Sequence, residues 1–387
     1  YRMDFDLSWL LLGLPITFVL GWFASRIDLR QLRFENRQAP KAYFKGLNYL
    51  LNEQQDKAID AFIEAVQNDP DTSELHFALG NLFRRRGEYD RAVRVHEHLL
   101  SRGDLGRVDR ERAQHALALD FLKAGLLDRA ELALQRLEGT PFEAEARLAL
   151  LAIYERSSDW ALASAIAEKM DRAAQGDFST RQAHYLCEQA LTLLGKGQTD
   201  EARNLLERAI ATAPNAPRAR IDLAAMQQTA GDHAGAFTTL ITMGEATPAA
   251  LPLAAARLAQ AASSSQQPQA ALDLLTSSYA TSPSLDVLEA IVALTASGTG
   301  DNEQARTWYI QHLEREPSLV AAAKWIAGEK LEHPQFHPQI QRALDHAVKP
   351  LTRYRCAACG FEAKQHFWQC PGCQTWDSYP ARRVEEL

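Results

Sequence analysis

The residues best equipped for chemistry are four cysteines near the C-terminal end. They lie in the runs Arg355-Cys356-Ala357-Ala358-Cys359-Gly360-Phe361 and Gln369-Cys370-Pro371-Gly372-Cys373-Gln374-Thr375-Trp376. Each run holds a Cys-x-x-Cys turn, and ten residues separate the two turns. A two-residue spacer lets a pair of thiolates turn toward one point, and two such turns complete a tetrahedral four-sulfur site. Cys356, Cys359, Cys370 and Cys373 are therefore the expected ligands of one ion, iron or zinc, since both accept this ligand set. Gly360 and Gly372 are expected to relax the tight turns, and Phe361, Trp368 and Trp376 to pack around the sulfurs. Two other uses of the thiols compete. A redox Cys-x-x-Cys is disfavoured by the duplication, and disulfides are disfavoured if this end of the chain faces a reducing compartment.

No other stretch offers comparable chemistry. The sequence has no phosphate-cradling loop, nucleophile elbow or zinc-protease helix; Gly298-Thr299-Gly300 suggests an isolated inter-helix turn with neither strand nor lysine beside it. His96 and His98 are two apart, which places them on different sides of a helix and not as joint ligands. His333 and His337 sit among Pro334 and Pro338 and read as helix-boundary residues, while Cys187 reads as a small buried hydrophobe. Nothing here supports enzymatic catalysis.

The bulk of the chain must position the cysteines, and it is repetitive. Gly46, Tyr49, Ala58, Phe62, Ala65 and Pro70 form a unit restated 34 residues later by Gly80, Phe83, Ala92 and Leu99. Further copies carry Leu117, Ala118, Phe121 and Ala130; Ala149 and Ala161; Ala190, Ala202, Leu206 and Ala209; Ala224, Ala236 and Leu240; Ala270 and Leu274; Ala293, Ala305 and Tyr309. Surplus residues of the third copy fall in 101–108, and Ser263–Pro268 reads as an inter-helix loop. The period and the small, aromatic and proline positions resemble the tetratricopeptide repeat, in which two helices face each other and small residues let their backbones approach. Each hairpin buries only one face, so neighbours stack into a superhelical solenoid with a concave groove suited to peptides or partner helices.

Leu7–Ala24 contains no charge over eighteen residues, with Trp9 and Trp22 near its ends. As a helix it would rise about 27 Å, close to the roughly 30 Å of a bilayer core. A cleaved leader fits less well, because the apolar run is long, Asp4 and Asp6 precede it and Arg26 follows where small residues should stand. Arg26, Arg30, Arg33, Arg37 and Lys41 crowd its far side against Arg2 alone, which places everything after Ala24 in the cytoplasm. The cysteines then face a reducing compartment. A net charge of −7 argues against nucleic acid as a partner.

The expected organisation is all-α: a transmembrane helix at 7–24, a juxtamembrane linker at 25–38, a tetratricopeptide-repeat array of about eight to nine hairpins at 39–349, and a four-cysteine metal-binding domain at 350–387. This order, and Tyr354-Arg355-Cys356 through Cys370-Pro371-x-Cys373-x-x-Trp376 in particular, is similar to the lipopolysaccharide assembly protein B family, in which the terminal domain is rubredoxin-like. The resemblance covers the whole chain. It implies a single-pass protein of the bacterial inner membrane acting as an adaptor for the membrane-anchored protease FtsH. The adaptor presents the lipid A pathway deacetylase (LpxC) for degradation and so restrains lipopolysaccharide synthesis. Other lipopolysaccharide assembly or signalling membrane proteins, and a second copy of the chain as a homodimer, are further candidate partners. Two alternatives stand beside it: a general membrane scaffold for envelope enzymes, and an iron-based electron carrier docked by its repeats.

Overall fold

The computed structural model describes residues 17–22, 42, 44–68, 72–299, 302–329 and 332–387. The expected membrane span lies outside them except for residues 17–22, which are helical and exposed; the linker 25–38, Pro40 and Pro70 lie wholly outside. Among the described residues no helix is long and apolar enough to cross a membrane. The remainder is a tetratricopeptide-type succession of helices ending in a small sulfur-rich knuckle, and it divides into two compact units, Tyr1–Arg156 and Ser157–Leu387.

In the first unit a helix over 44–51 is followed by α1 (Gln55–Asn68), α2 (Ser73–Arg86), α3 (Tyr89–Ser101), α4 (Arg107–Ala124), α5 (Leu127–Gln135) and α6 (Glu143–Ser157). The small positions of the repeat act as expected. A Cβ placed on Gly46 would come within 2.8 Å of the Phe62 ring, and one on Gly80 within 2.5 Å of His96. Only glycine lets those helix pairs close. Ala58, Phe62, Ala65, Ala92, Leu99, Ala118 and Ala130 are correspondingly buried. The turn inside a hairpin is a left-handed residue: Gly87 at φ +84° and Gly125 at φ +75°, whose amides and the next ones bond back to the last helical carbonyls. His96 and His98 do part company. His96 is buried with Nδ1 2.5 Å from Asp120, which also accepts from Arg84 at 2.9 Å, while His98 is exposed.

The second unit continues with α7 (Trp160–Arg172), α8 (Ser179–Gly195), α9 (Thr199–Thr212), α10 (Pro217–Thr229), α11 (His233–Ala246), α12 (Leu251–Ser264), α13 (Pro268–Thr281), α14 (Leu285–Thr299), α15 (Asn302–Arg315), α16 (Leu319–Ala327) and α17 (His337–Val348). Its main core gathers Ala224, Leu240, Leu251, Leu258, Leu275 and Leu288, and Trp368 of the knuckle packs against it. Cys187 is fully buried, and burial pushes its thiol up to about 12, the behaviour of a small core residue. His337 Nε2 lies 3.2 Å from the carbonyl of Ile326, tying the start of α17 back to the end of α16.

Two loops are shorter than the sequence suggests. Ser263 and Ser264 remain helical and Pro268 already opens α13, because proline is at home in a first helical turn. Gly298 and Thr299 belong to the end of α14 and not to a turn. A helix tolerates a terminal glycine, and the apolar run before it carries the helix through.

Candidate metal centre

After α17 the chain leaves the helical mode. Tyr354–Arg355 (β1) pairs antiparallel with Glu362–Ala363 (β2), in the register Tyr354 to Ala363 and Arg355 to Glu362. A bridge between Gln369 and Trp376 closes the second turn in the same way. These two hairpins carry the cysteines. In each, the first cysteine amide bonds across the turn, Cys356 to Phe361 and Cys370 to Thr375, at 2.9 and 3.0 Å. In each, the residue after the second cysteine bonds back to the first carbonyl, Gly360 to Cys356 at 2.9 Å and Gln374 to Cys370 at 2.8 Å.

That returning residue must be left-handed, and here the sequence expectation needs correcting. Gly360 has φ +77°, but its equivalent in the second turn is Gln374 at φ +60°, not Gly372. Gly372 has no such backbone requirement, and a Cβ there would meet Phe361 and Cys359 at ordinary contact distances of 3.5 and 3.6 Å.

The turns bring all four sulfurs within 4.8 Å of one another. Cys356 and Cys373 are 3.8 Å apart, Cys359 and Cys370 3.7 Å. A tetrahedron with metal–sulfur bonds of about 2.3 Å has edges of about 3.8 Å, so the donor set can hold one ion, zinc or iron. Cys356 and Cys370 are buried, whereas Cys359 and Cys373 are exposed.

The surroundings favour thiolates unevenly. At Cys356, burial works against ionisation. Contact with the Ser378 hydroxyl at 3.3 Å and the amides of Cys359 and Ala358 outweigh it, lowering the thiol to about 6. Cys373 is lowered by the Thr375 side chain and amide. At Cys359 the Phe361 amide favours the thiolate, but desolvation and the other three sulfurs prevail and raise it to about 12. Four sulfurs this close cannot all ionise unaided, and a divalent cation at their centre removes that conflict.

Two of the aromatics reach beyond the turns to the repeats. Phe361 is exposed, while Trp376 turns outward onto the repeats, stacking on His184 of α8 at 4.7 Å between ring centres. Trp160 and Tyr185 meet Trp376 edge-on at 6.0 and 5.9 Å, and Trp368 packs against His184 from a second side. His184 is also the polar hinge of the joint. Its Nε2 lies 2.9 Å from the Asp377 carboxylate, and its Nδ1 lies 3.4 Å from the guanidinium of buried Arg218. The two ring nitrogens therefore face partners of opposite kind, a carboxylate at Nε2 and a guanidinium at Nδ1.

The C-terminal residues fasten the other side. Arg383 forks onto Asp286 at 2.7 and 2.9 Å, lies over the Tyr354 ring at 4.1 Å, and donates to the Thr352 carbonyl at 2.8 Å. Glu385 accepts from the Leu319 amide at 2.6 Å and the Ser318 hydroxyl at 2.8 Å, capping α16. Glu386 accepts from the Leu285 amide at 2.7 Å, capping α14. Carboxylates at helix N-termini satisfy otherwise free amides and meet the positive end of the dipole. None of His184, Arg218, Asp286, Arg383, Glu385 or Glu386 stands out from spacing, since each matters only through a partner remote in sequence.

If Trp376 belongs to the joint and not to the sulfurs, Trp376→Ala should loosen the knuckle without emptying it. A half-buried tryptophan with three aromatic neighbours is worth about 2 kcal/mol. The expected outcome is an earlier urea midpoint and faster hydrogen exchange in α8, with metal content unchanged. Loss of metal would return Trp376 to the sulfur shell.

Residues 354–379 match the rubredoxin metal binding domain, and residues 75–110 and 193–261 match tetratricopeptide repeats. The chain is similar to lipopolysaccharide assembly protein B of Escherichia coli strain K12, with 30% identity over 396 residues, 98% of this chain and 100% of that protein. The protein of the same name from Haemophilus influenzae is 26% identical over 401 residues, 95% of this chain and 96% of its own length. Among solved structures, Naa15/Naa10 bound to HypK-THB aligns with 81% of this chain and 48% of that chain, at 13% identity and a TM-score of 0.45.

Proposed function

The chain belongs to the lipopolysaccharide assembly protein B family, and from that premise we propose that it is a non-enzymatic adaptor of the bacterial inner membrane. The apolar segment 7–24 anchors it, with the repeats and knuckle in the cytoplasm. The repeats engage the deacetylase LpxC and the protease FtsH, so that the deacetylase is degraded and lipopolysaccharide synthesis is held down. Cys356, Cys359, Cys370 and Cys373 hold one iron or zinc ion, which when bound supplies a structural cross-link between the two turns. The observation that supports this reading most is the whole-length similarity to proteins named for lipopolysaccharide assembly, joined to a repeat architecture suited to protein binding. A protease in the same bilayer would meet a tethered adaptor at raised effective concentration.

Depleting the protein should lengthen the half-life of the deacetylase several-fold and raise lipopolysaccharide, measured by pulse-chase and immunoblot. Restoring a form lacking residues 1–25 at native abundance should not correct either. An unchanged half-life on depletion would favour the general scaffold, and full rescue by the truncated form would reduce the segment to a dispensable anchor.

A further inference from the structure

A cleft of about 510 Å³ opens where the knuckle meets the last helices, and none of the cysteines lines it. Its walls come from the start of α14, from α16, from the end of α17 and from the strands' flanks. Lys324, Lys349, Arg353, Lys364 and Arg383 line it, against the carboxylates of Asp286 and Glu289 alone among the described residues. In a chain of net charge −7 this is a local reversal of sign.

The carboxylates are already matched. Asp286 holds Arg383 bidentately, and Glu289 lies 3.6 Å from Lys324. Arg353 has a long contact of 3.8 Å with Glu362, itself shared with Arg355 at 2.7 Å. Glu385 and Glu386 are turned to their helix caps. Lys349 and Lys364 are exposed and make no ion pair among the described residues. Two unpaired ammonium groups and a loosely held guanidinium thus share one small concavity, with the Thr352 side chain on its wall.

We propose that this cleft binds a phosphate-bearing anion. Lysines act as compact point charges with rotatable donors, which suits a tetrahedral oxyanion, and Arg353 can add a planar fork. The volume lies in the range of roughly 300–1,000 Å³ typical of small-ligand sites. Among the described residues, Leu285 and Val320 are the only large apolar ones on its walls, too few to anchor a peptide. A phosphorylated lipid headgroup and a soluble phosphate present the same chemistry. This inference is independent of the adaptor reading.

The full chain, reconstituted into phosphatidylcholine nanodiscs, is titrated with inorganic pyrophosphate by calorimetry. Saturable binding is expected, weakening at least tenfold in Lys349→Glu/Lys364→Glu and falling with added salt. Arg203→Glu/Arg208→Glu, an equal charge change on exposed positions of α9, should bind as the parent does. Equal metal content and thermal midpoint establish that both variants are folded. Exchanging a third of the lipid for phosphatidylglycerol identifies the source: competition with pyrophosphate assigns a headgroup, and no competition a soluble phosphate. Absence of saturable binding, equal weakening in the control variant, or binding of a polyglutamate peptide that pyrophosphate cannot displace would overturn the proposal.

Discussion

Replacing Cys356 and Cys373 together by serine is expected to strip the metal and unfold the knuckle while leaving the repeats helical. The knuckle cannot hold itself together by packing. Its own buried cluster consists of Tyr354, Cys356, Cys370 and Tyr379, and two of those four belong to the four-cysteine cluster itself. Segments this short ordinarily need a staple. Structural zinc contributes on the order of 10–16 kcal/mol in small peptides near neutral pH, more than any other single interaction in this region. Elemental analysis of the parent, purified without added metal, should give about one zinc or iron per chain, and the double variant none. A red preparation would indicate iron. Far-ultraviolet circular dichroism should change little, while hydrogen exchange should rise across 350–387 and at the N-termini of α14 and α16, whose caps are Glu386 and Glu385. The pH dependence has a fixed sign. Ligation needs thiolates, so metal is retained at neutral and higher pH and lost as acid protonates the sulfurs. A parent without metal, or a double variant that keeps it, would remove the basis for a structural ion.

The clustering of the four cysteines was legible because its geometry is local: two thiols in each four-residue turn converge whatever surrounds them. The repeat was legible for a related reason, since Gly46, Gly80 and the alanines recur wherever helix backbones touch. What the knuckle rests on was not legible. His184 and Asp377 meet across 193 residues of sequence, and Glu386 caps a helix beginning 101 residues earlier. Such pairs are created by the stacking of hairpins, and each side chain alone resembles an ordinary surface residue. Trp376 shows the same limit from another side. Its type announces burial, but spacing does not reveal that its ring neighbours include Trp160, His184 and Tyr185 of the repeats. At Gln374 composition is a poor guide: the turn requires a left-handed residue after its second cysteine, and glutamine holds that position while the nearby Gly372 does not.

Removing the buried cation beneath that joint should have the next largest effect. Arg218 is 3% exposed and lies 2.6 Å from Glu188 and 3.4 Å from Asp222, with His184 at 3.4 Å on its other side. Burial raises the Asp222 carboxyl and the guanidinium opposes that rise, so each group is tolerable only with the other present. Arg218→Met keeps most of the volume and removes the charge, leaving two carboxylates together and His184 without its donor. Breaking a buried pair from one side costs roughly 3–5 kcal/mol. The loss should be largest above neutral pH. Without Arg218 the folded-state pKa of Asp222 climbs further, so its penalty is present while the carboxylate is ionised and is relieved as falling pH protonates it. Urea unfolding at pH 8 and pH 5 should therefore show the larger deficit at pH 8. Adding Glu188→Gln and Asp222→Asn to Arg218→Met should recover much of the stability, because the uncompensated charge is then gone. Metal content should stay at the parent level throughout, since no ligand is altered. A deficit independent of pH, or a triple variant no more stable than the single one, would mean that Arg218 supports the joint by packing alone and that its charge is incidental.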